Sequence, residues 1–259
     1  MLRMWLPWRS LGKSAKATEA EGPLRGPLPF TTEHYQRINH RRLEHLASLH
    51  LPLEGSTVLE VGAGIGDLTT FFLDRGCRVT TSDGRPENVQ ILQSRYPDLE
   101  VIFLDLDAPD SLSDRHFDVV FCYGVLYHLR RPAQALEYLA ERCQRFLLLE
   151  TCVTWGEEQE IHPCEENRMD PTQSISGQGC RPTRRWVFTQ MRRHFPYVYL
   201  PRTQPYHEQF PTDWRLPPSD PKALIRAVFI GSREPLTNDL LVDELPLLQP
   251  RRTARCWAA

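Results

Sequence analysis

Three glycines in alternation, Gly62-Ala63-Gly64-Ile65-Gly66, close the apolar run Thr57-Val58-Leu59-Glu60-Val61 and precede a helical pattern. A glycine lets the backbone turn sharply or lie against a ligand, and the first N–H groups of a helix have no partner within it. Such a turn is built to hold a cofactor, with the Glu60 carboxylate at its entrance. The spacing is not the G-x-G-x-x-G of dinucleotide binders, and the absence of a following Gly-Lys-Ser/Thr excludes a P-loop. About 20 residues past the first glycine, the run from Cys77 ends in Ser82-Asp83-Gly84, a carboxylate placed to chelate both hydroxyls of a ribose. Two more acids, Asp105 and Asp107, flank Leu106, and Tyr123-Gly124-Val125-Leu126-Tyr127-His128 follows the apolar run Phe117–Cys122.

Elements that alternate between helix and strand must position these residues. Strands are expected at 57–61, 77–83, 99–104, 117–122 and 145–150, with helices at 65–73, 86–94 and 132–142 between them. Further on, a helix over 182–194 precedes strands at 197–200 and 223–231. Such alternation implies a mainly parallel, doubly wound sheet, with four strand ends converging on one edge. Ahead of it, Thr31 or Thr32 can cap a helix whose apolar positions Tyr35, Ile38, Leu43, Leu46 and Leu49 would pack on the sheet and cover the cofactor pocket.

From Pro52 to Arg233 the chain resembles the class I S-adenosylmethionine-dependent methyltransferases, on the ordered succession of the glycine turn, Asp83, the third-strand acids and the fourth strand. The resemblance implies an α/β, Rossmann-like, doubly wound seven-stranded sheet with the last strand antiparallel, and S-adenosyl-L-methionine as cofactor. It places Glu60, Gly62, Gly64 and Gly66 under the methionine part, Asp83 at the ribose and Asp105 or Asp107 at the adenine. Ala63, Gly84, Leu106 and Tyr123 complete the cofactor set. A narrower likeness, in Gly124-Val125-Leu126-Tyr127-His128 with Arg131-Pro132 and Leu147-Leu148-Leu149-Glu150-Thr151, is to the tRNA wobble-uridine carboxymethyltransferase. There a tyrosine at the Tyr127 position helps to recognise an extra carboxylate, but this chain lacks that family's long amino-terminal region.

A sulfonium methyl is already activated for displacement. The protein must align the acceptor, exclude water and, for a hydroxyl, remove a proton. His128 is the candidate general base and Tyr127 the candidate orienting residue, against the alternative that His128 only packs the turn and proximity drives transfer. Specificity in a doubly wound sheet lies beyond the carboxyl ends of the strands, where two connections are enlarged, 151–183 and 202–221; both are expected to be lids. In the first, the run of Glu157, Glu158, Glu160, His162, Cys164, Glu165 and Glu166 lacks metal-ligand spacing and is expected to be a solvated acidic loop; no metal is expected. Arg181, Arg184 and Arg185, around a basic helix start, are candidates for holding a carboxylate or phosphate of the substrate, with a plain solvated face as the alternative, and Trp186 is a candidate face for a sugar or aromatic acceptor.

The formal charge of −2 over 259 residues demands neither nucleic acid nor an acidic partner. Seven cysteines without a C-x-x-C point to reduced thiols and a cytoplasmic protein rather than a disulfide framework. Residues 1–30 are expected to be a disordered leader without a membrane span, 31–233 the domain, and 234–259 a tail. The function expected is methyl transfer to a small polar molecule or a glycan hydroxyl. Carboxymethyl or methyl transfer to tRNA, and a non-catalytic cofactor-binding module, are the alternatives.

Overall fold

The computed structural model describes residues 29–251 apart from 110, 111, 113 and 221, so the expectations for 1–28 and 252–259 lie outside the described residues. Short strands, mostly buried, build the centre: β1 (Thr57–Glu60), β2 (Arg78–Asp83), β3 (Glu100–Phe103), β4 (Phe117–Tyr123) and β5 (Cys143–Val153), with β3 at the edge and without a buried residue. The parallel pairs β1–β2, β2–β3 and β4–β5 are joined by crossovers through α2 (Thr70–Leu73), α3 (Pro86–Arg95) and α4 (Pro132–Glu141), and β1 also pairs in parallel with β4. Proline opens both α3 and α4, where its missing N–H leaves no helical bond unmade. The amino-terminal helix α1 (Glu33–Ala47) starts where Thr32 accepts the Tyr35 N–H.

After β5 the chain departs into a hairpin, β6 (Ile161–Glu165) and β7 (Gln178–Pro182), then continues through α5 (Arg184–His194), β8 (Tyr197–Pro201), β9 (Ile225–Ser232) and β10 (Leu241–Val242). The main sheet has eight strands in the order β10-β8-β9-β5-β4-β1-β2-β3, with β9 antiparallel to both β5 and β8. The expected seven strands and antiparallel member are therefore present, and β10 adds one more at the edge. Two apolar layers sandwich the sheet, one around Leu59, Val120, Leu136, Leu147 and Phe229, the other around Leu46, Val58, Phe72, Phe121 and Phe210.

Three expectations need correction. The helix expected over 65–73 is only the turn Thr70–Leu73, because Gly64 and Gly66 hold the left-handed backbone at φ +60° and +83° and delay its start. The residues from 234 to 251 are not a loose tail. Leu241 and Val242 pair with Pro201 and Leu200, and buried Gln249 accepts from Trp214 Nε1 at 2.7 Å while donating to the Pro201 carbonyl at 2.6 Å. The second expected lid does not stand over the sheet edge either: Phe210 and Trp214 are buried, and the Gln209 carbonyl accepts the Arg226 N–H.

Candidate active site

Beyond the carboxyl ends of β1, β2 and β4 lies a cavity of about 300 Å³. Gly62, Gly64, Asp83, Gly84, Asp105, Leu106, Asp107, Tyr123 and His128 all border it, so most of the expected site residues meet in one place. Gly64 is needed there for a second reason besides its φ: a Cβ would fall 2.6 Å from the Phe30 ring, which lies against the turn. Phe30 and Tyr35, from the amino-terminal segment, close that side, as expected of α1.

The glycine turn does not offer a free row of N–H groups. Gly64 N–H donates to Asp83 Oδ2 at 2.9 Å, Ala63 N–H to the Ser82 carbonyl and Gly66 N–H to the Ala63 carbonyl. Asp83 is in turn fixed through Oδ1 by the Arg85 N–H (2.9 Å) and Asn88 Nδ2 (3.1 Å). Burial raises its pKa above the usual carboxylate range, against those hydrogen bonds. Gly66 is a packing glycine rather than a cavity residue, since its Cβ would strike Tyr96 and Leu92. Asp107 uses its carboxylate to accept the N–H groups of Arg130 and Arg131, bracing the loop before α4.

Beside the main cavity is a smaller recess bordered by Tyr35, Asn39, Arg42, Glu60, Gly62, Ala63 and Tyr123. Glu60 is buried; Oε2 accepts the hydroxyls of Thr69 (2.6 Å) and Thr81 (3.2 Å), while Oε1 has no partner among the described residues. Burial pushes its pKa up to about 7. Arg42 Nε is likewise buried without a partner. Its terminal nitrogens are occupied, Nη1 with Asn39 Oδ1 at 2.9 Å and Nη2 with Glu150 Oε2 at 2.7 Å. The other Glu150 oxygen accepts from Arg226 Nη1 at 3.0 Å, so one carboxylate at the end of β5 bridges two buried guanidiniums.

His128 ends a short 3-10 turn, Leu126–His128, that follows β4. Its Nδ1 hydrogen-bonds Glu166 Oε2, and Nε2 has no hydrogen bond to the described residues. Burial and the nearby Arg226 and Arg181 lower its pKa while Glu166 opposes them, which leaves the ring neutral at physiological pH. Tyr127, the other catalytic candidate, does not border the cavity. It packs on the His128 ring with centroids 4.0 Å apart and accepts from Arg226 Nη2 at 3.2 Å.

The candidate substrate residues point elsewhere. Thr183 caps α5 by accepting the Trp186 N–H, and that phase turns Arg184 and Trp186 inward. Arg184 donates to Gln249 Oε1 and the Pro246 carbonyl, while Arg185 pairs with Glu157 on the surface. None of the three borders the main cavity. The positive groups that do are Arg85 and Arg130, neither of which the sequence singled out.

The acidic connection is only partly solvated. Glu160 and His162 are exposed, but the Glu166 side chain is only 4% exposed and clasped between His128 and Arg181. The segment it opens, up to Gly177, crosses the cavity mouth, with Pro171, Thr172, Gln173, Ser174, Ile175 and Ser176 as its outer wall. Arg85 Nη2 holds it there by donating to the carbonyls of Arg168, Gln173 and Ser174 at 2.9–3.1 Å. Among the described residues, no helix is long and apolar enough to cross a membrane.

Residues 59–145, which carry the glycine turn, Asp83, Asp107 and His128, match the family model described as a methyltransferase domain. Over this segment the chain is similar to methyltransferase domains. Among curated relatives, a tRNA U34 carboxymethyltransferase of Pseudoalteromonas translucida is 29% identical over 167 residues, 62% of this chain and 48% of its own length. A ubiquinone biosynthesis O-methyltransferase of Rickettsia typhi is 27% identical over 111 residues, 40% of this chain and 45% of its own. The chain thus spans about half the length of the curated relatives it matches. In fold, it resembles the amino-terminal domain of EvdMO1, solved with S-adenosylhomocysteine and D-fucose (TM-score 0.58, 19% identity, covering 78% of this chain and 84% of that one). It also resembles the magnesium protoporphyrin IX methyltransferase of Synechocystis, solved with S-adenosylmethionine (TM-score 0.50, 15% identity, 76% and 80% covered).

Proposed function

We propose that this chain binds S-adenosylmethionine and transfers its methyl group to a hydroxyl of a small polar molecule or glycan. The observation that carries the cofactor reading is the pair of orphaned buried groups at one recess, the Glu60 Oε1 acceptor and the Arg42 Nε donor. An amino-acid end group, an ammonium beside a carboxylate, complements such a pair, and leaving each unsatisfied costs about 1–3 kcal/mol. Gly62 and Tyr123 border both the recess and the main cavity, which joins this end to Asp83, whose carboxylate suits a ribose, and to the wall of Asp105, Leu106 and Asp107. When bound, the cofactor supplies an activated methyl whose bond electrons return to sulfur as the new O–C bond forms.

The protein's own contribution is positioning, dryness and a proton acceptor. The wall 171–176 and the Phe30 ring limit water access, and His128 takes the hydroxyl proton on Nε2 as the acceptor oxygen attacks. A hydroxyl acceptor is supported by this neutral imidazole at the cavity. A sugar-like acceptor draws support from the EvdMO1 domain, which was solved with D-fucose.

Transfer to tRNA is the second reading, favoured by the carboxymethyltransferase relative that matches 62% of the chain and by the cations Arg181 and Arg226 around Tyr127. Incubation with S-adenosylmethionine labelled in the methyl group and separate pools of glycosides, small hydroxylated metabolites and tRNA distinguishes the two. Label in a base-stable ether of a small molecule is the expected result. Label only in tRNA or on nitrogen overturns the hydroxyl assignment.

A further inference from the structure

Glu166 lies just past β6 and some 38 residues from His128 in sequence, yet it makes the closest polar contact that ring has. Three groups converge on its carboxylate: His128 Nδ1 and the Ser174 N–H (2.9 Å) on Oε2, and the Arg181 guanidinium, through both terminal nitrogens (3.2 and 3.3 Å), on Oε1. The local backbone makes room for it. A Cβ on Gly179, in β7, would sit 2.6 Å from the Tyr127 carbonyl and 2.9 Å from Glu166 Oε1. Glu166 N–H also donates to the Gly177 carbonyl, so the same residue closes the base of the 166–177 strap. At the far side, Arg85 and Asn88 hold the strap by its carbonyls, and Asn88 and the Arg85 N–H also bond Asp83.

We propose that Glu166 is a positioning residue through which the closed strap sets the tautomer of His128. An ionised carboxylate only accepts hydrogen bonds, so contact with it requires the ring proton on Nδ1 and leaves Nε2 as the lone-pair nitrogen. When Nε2 takes the hydroxyl proton, the resulting imidazolium stays paired with the Glu166 carboxylate, and the proton later leaves from Nε2 to water. Within the strap the Ser174 N–H holds the carboxylate and the Gly177 carbonyl holds the Glu166 backbone N–H, so opening the strap loosens the group that orients the base. The charged and titratable groups around the ring are Glu166, Arg181 on β7, Arg226 on β9 and Tyr127 beside it, with Asp105, Asp107 and Arg130 among the cavity wall. The inference rests on the reading of His128 as base, but its test does not.

The full chain is labelled with nitrogen-15 histidine, and the His128 signals are assigned by their loss in His128→Gln. At a pH where the ring is neutral, wild type is expected to show Nδ1 protonated and Nε2 bare. Glu166→Ala is expected to move the proton to Nε2 and to speed amide exchange in 166–177 by about tenfold, as the loss of one charge-assisted hydrogen bond implies. Glu166→Gln, which is isosteric and keeps an acceptor oxygen, is expected to retain the wild-type tautomer while lowering the His128 pKa, because the counter-charge is gone. A wild-type ring protonated on Nε2, or an unchanged tautomer in Glu166→Ala, overturns the proposal. Full turnover in His128→Asn, with the tautomer result intact, would instead refute only the base.

Discussion

Replacing Glu150 with Gln is expected to destabilise the fold severely while changing almost no volume. Glu150 is fully buried at the end of β5, and its two oxygens accept from Arg42 on α1 and Arg226 on β9 at 2.7 and 3.0 Å. Both guanidiniums are themselves less than a tenth exposed. The amide keeps one acceptor and turns the other into a donor facing an arginine donor, so one cation loses its hydrogen bond and both lose their counter-charge. Removing one partner of a buried ion pair costs about 3–5 kcal/mol, because the remaining charge stays out of water. At about 2–4 °C per kcal/mol for a chain of this size, the melting temperature should fall by roughly 10 °C. Urea unfolding followed by circular dichroism and tryptophan fluorescence reads the loss, and Glu150→Gln combined with Arg42→Met should recover part of it by removing the stranded cation. A loss below about 1 kcal/mol, or no recovery in the double variant, would show that water or rearrangement already compensates the arginines and that the triad does not tie α1 to β5 and β9.

Gly64→Ala, with a left-handed backbone and Phe30 at 2.6 Å from the new Cβ, should weaken S-adenosylmethionine binding by about tenfold, given the roughly 1–2 kcal/mol cost of that backbone in alanine; calorimetry that finds wild-type affinity contradicts it. Glu60 is held near a pKa of about 7 by burial, so an ammonium placed beside it draws the carboxyl toward ionisation. Cofactor binding at pH 6.5 should then release a proton, and affinity should rise as pH climbs through about 7; Glu60→Gln should abolish the buffer-dependent heat that reports this. Arg185→Ala should leave turnover within about twofold of wild type, because the side chain pairs with Glu157 on the surface, and an exposed pair contributes little. A large rise in KM for the acceptor would return that residue to the substrate site.

The sheet and the cofactor edge were legible because their signals are local. The apolar run and the alternating glycines are contiguous, the acid follows at the next strand end, and the two strands that carry them, β1 and β2, are neighbours in the sheet. The base with its partner was only half legible. His128 follows directly from the end of β4, but Glu166 reaches it only because the β6–β7 hairpin folds back, pairing Glu165 with Gln178 across the strap. In sequence it is one of several acids, and nothing local separates the clasped one from the exposed ones. The Arg184–Trp186 reading failed on helix phase: the Thr183 cap decides which residues of the first turn face the core, and the core claims Arg184 and Trp186. The Arg42–Glu150–Arg226 triad joins positions 108 and 76 residues apart, a separation at which charge patterning carries no signal.

Titration calorimetry of S-adenosylmethionine into the wild-type chain and into Asp83→Ala tests the methyltransferase reading most directly. One-site binding to wild type, weakened tenfold or more in Asp83→Ala as loss of charged hydrogen bonds to a ribose implies, is the expected result. No binding of S-adenosylmethionine or S-adenosylhomocysteine to the folded wild-type chain would contradict it.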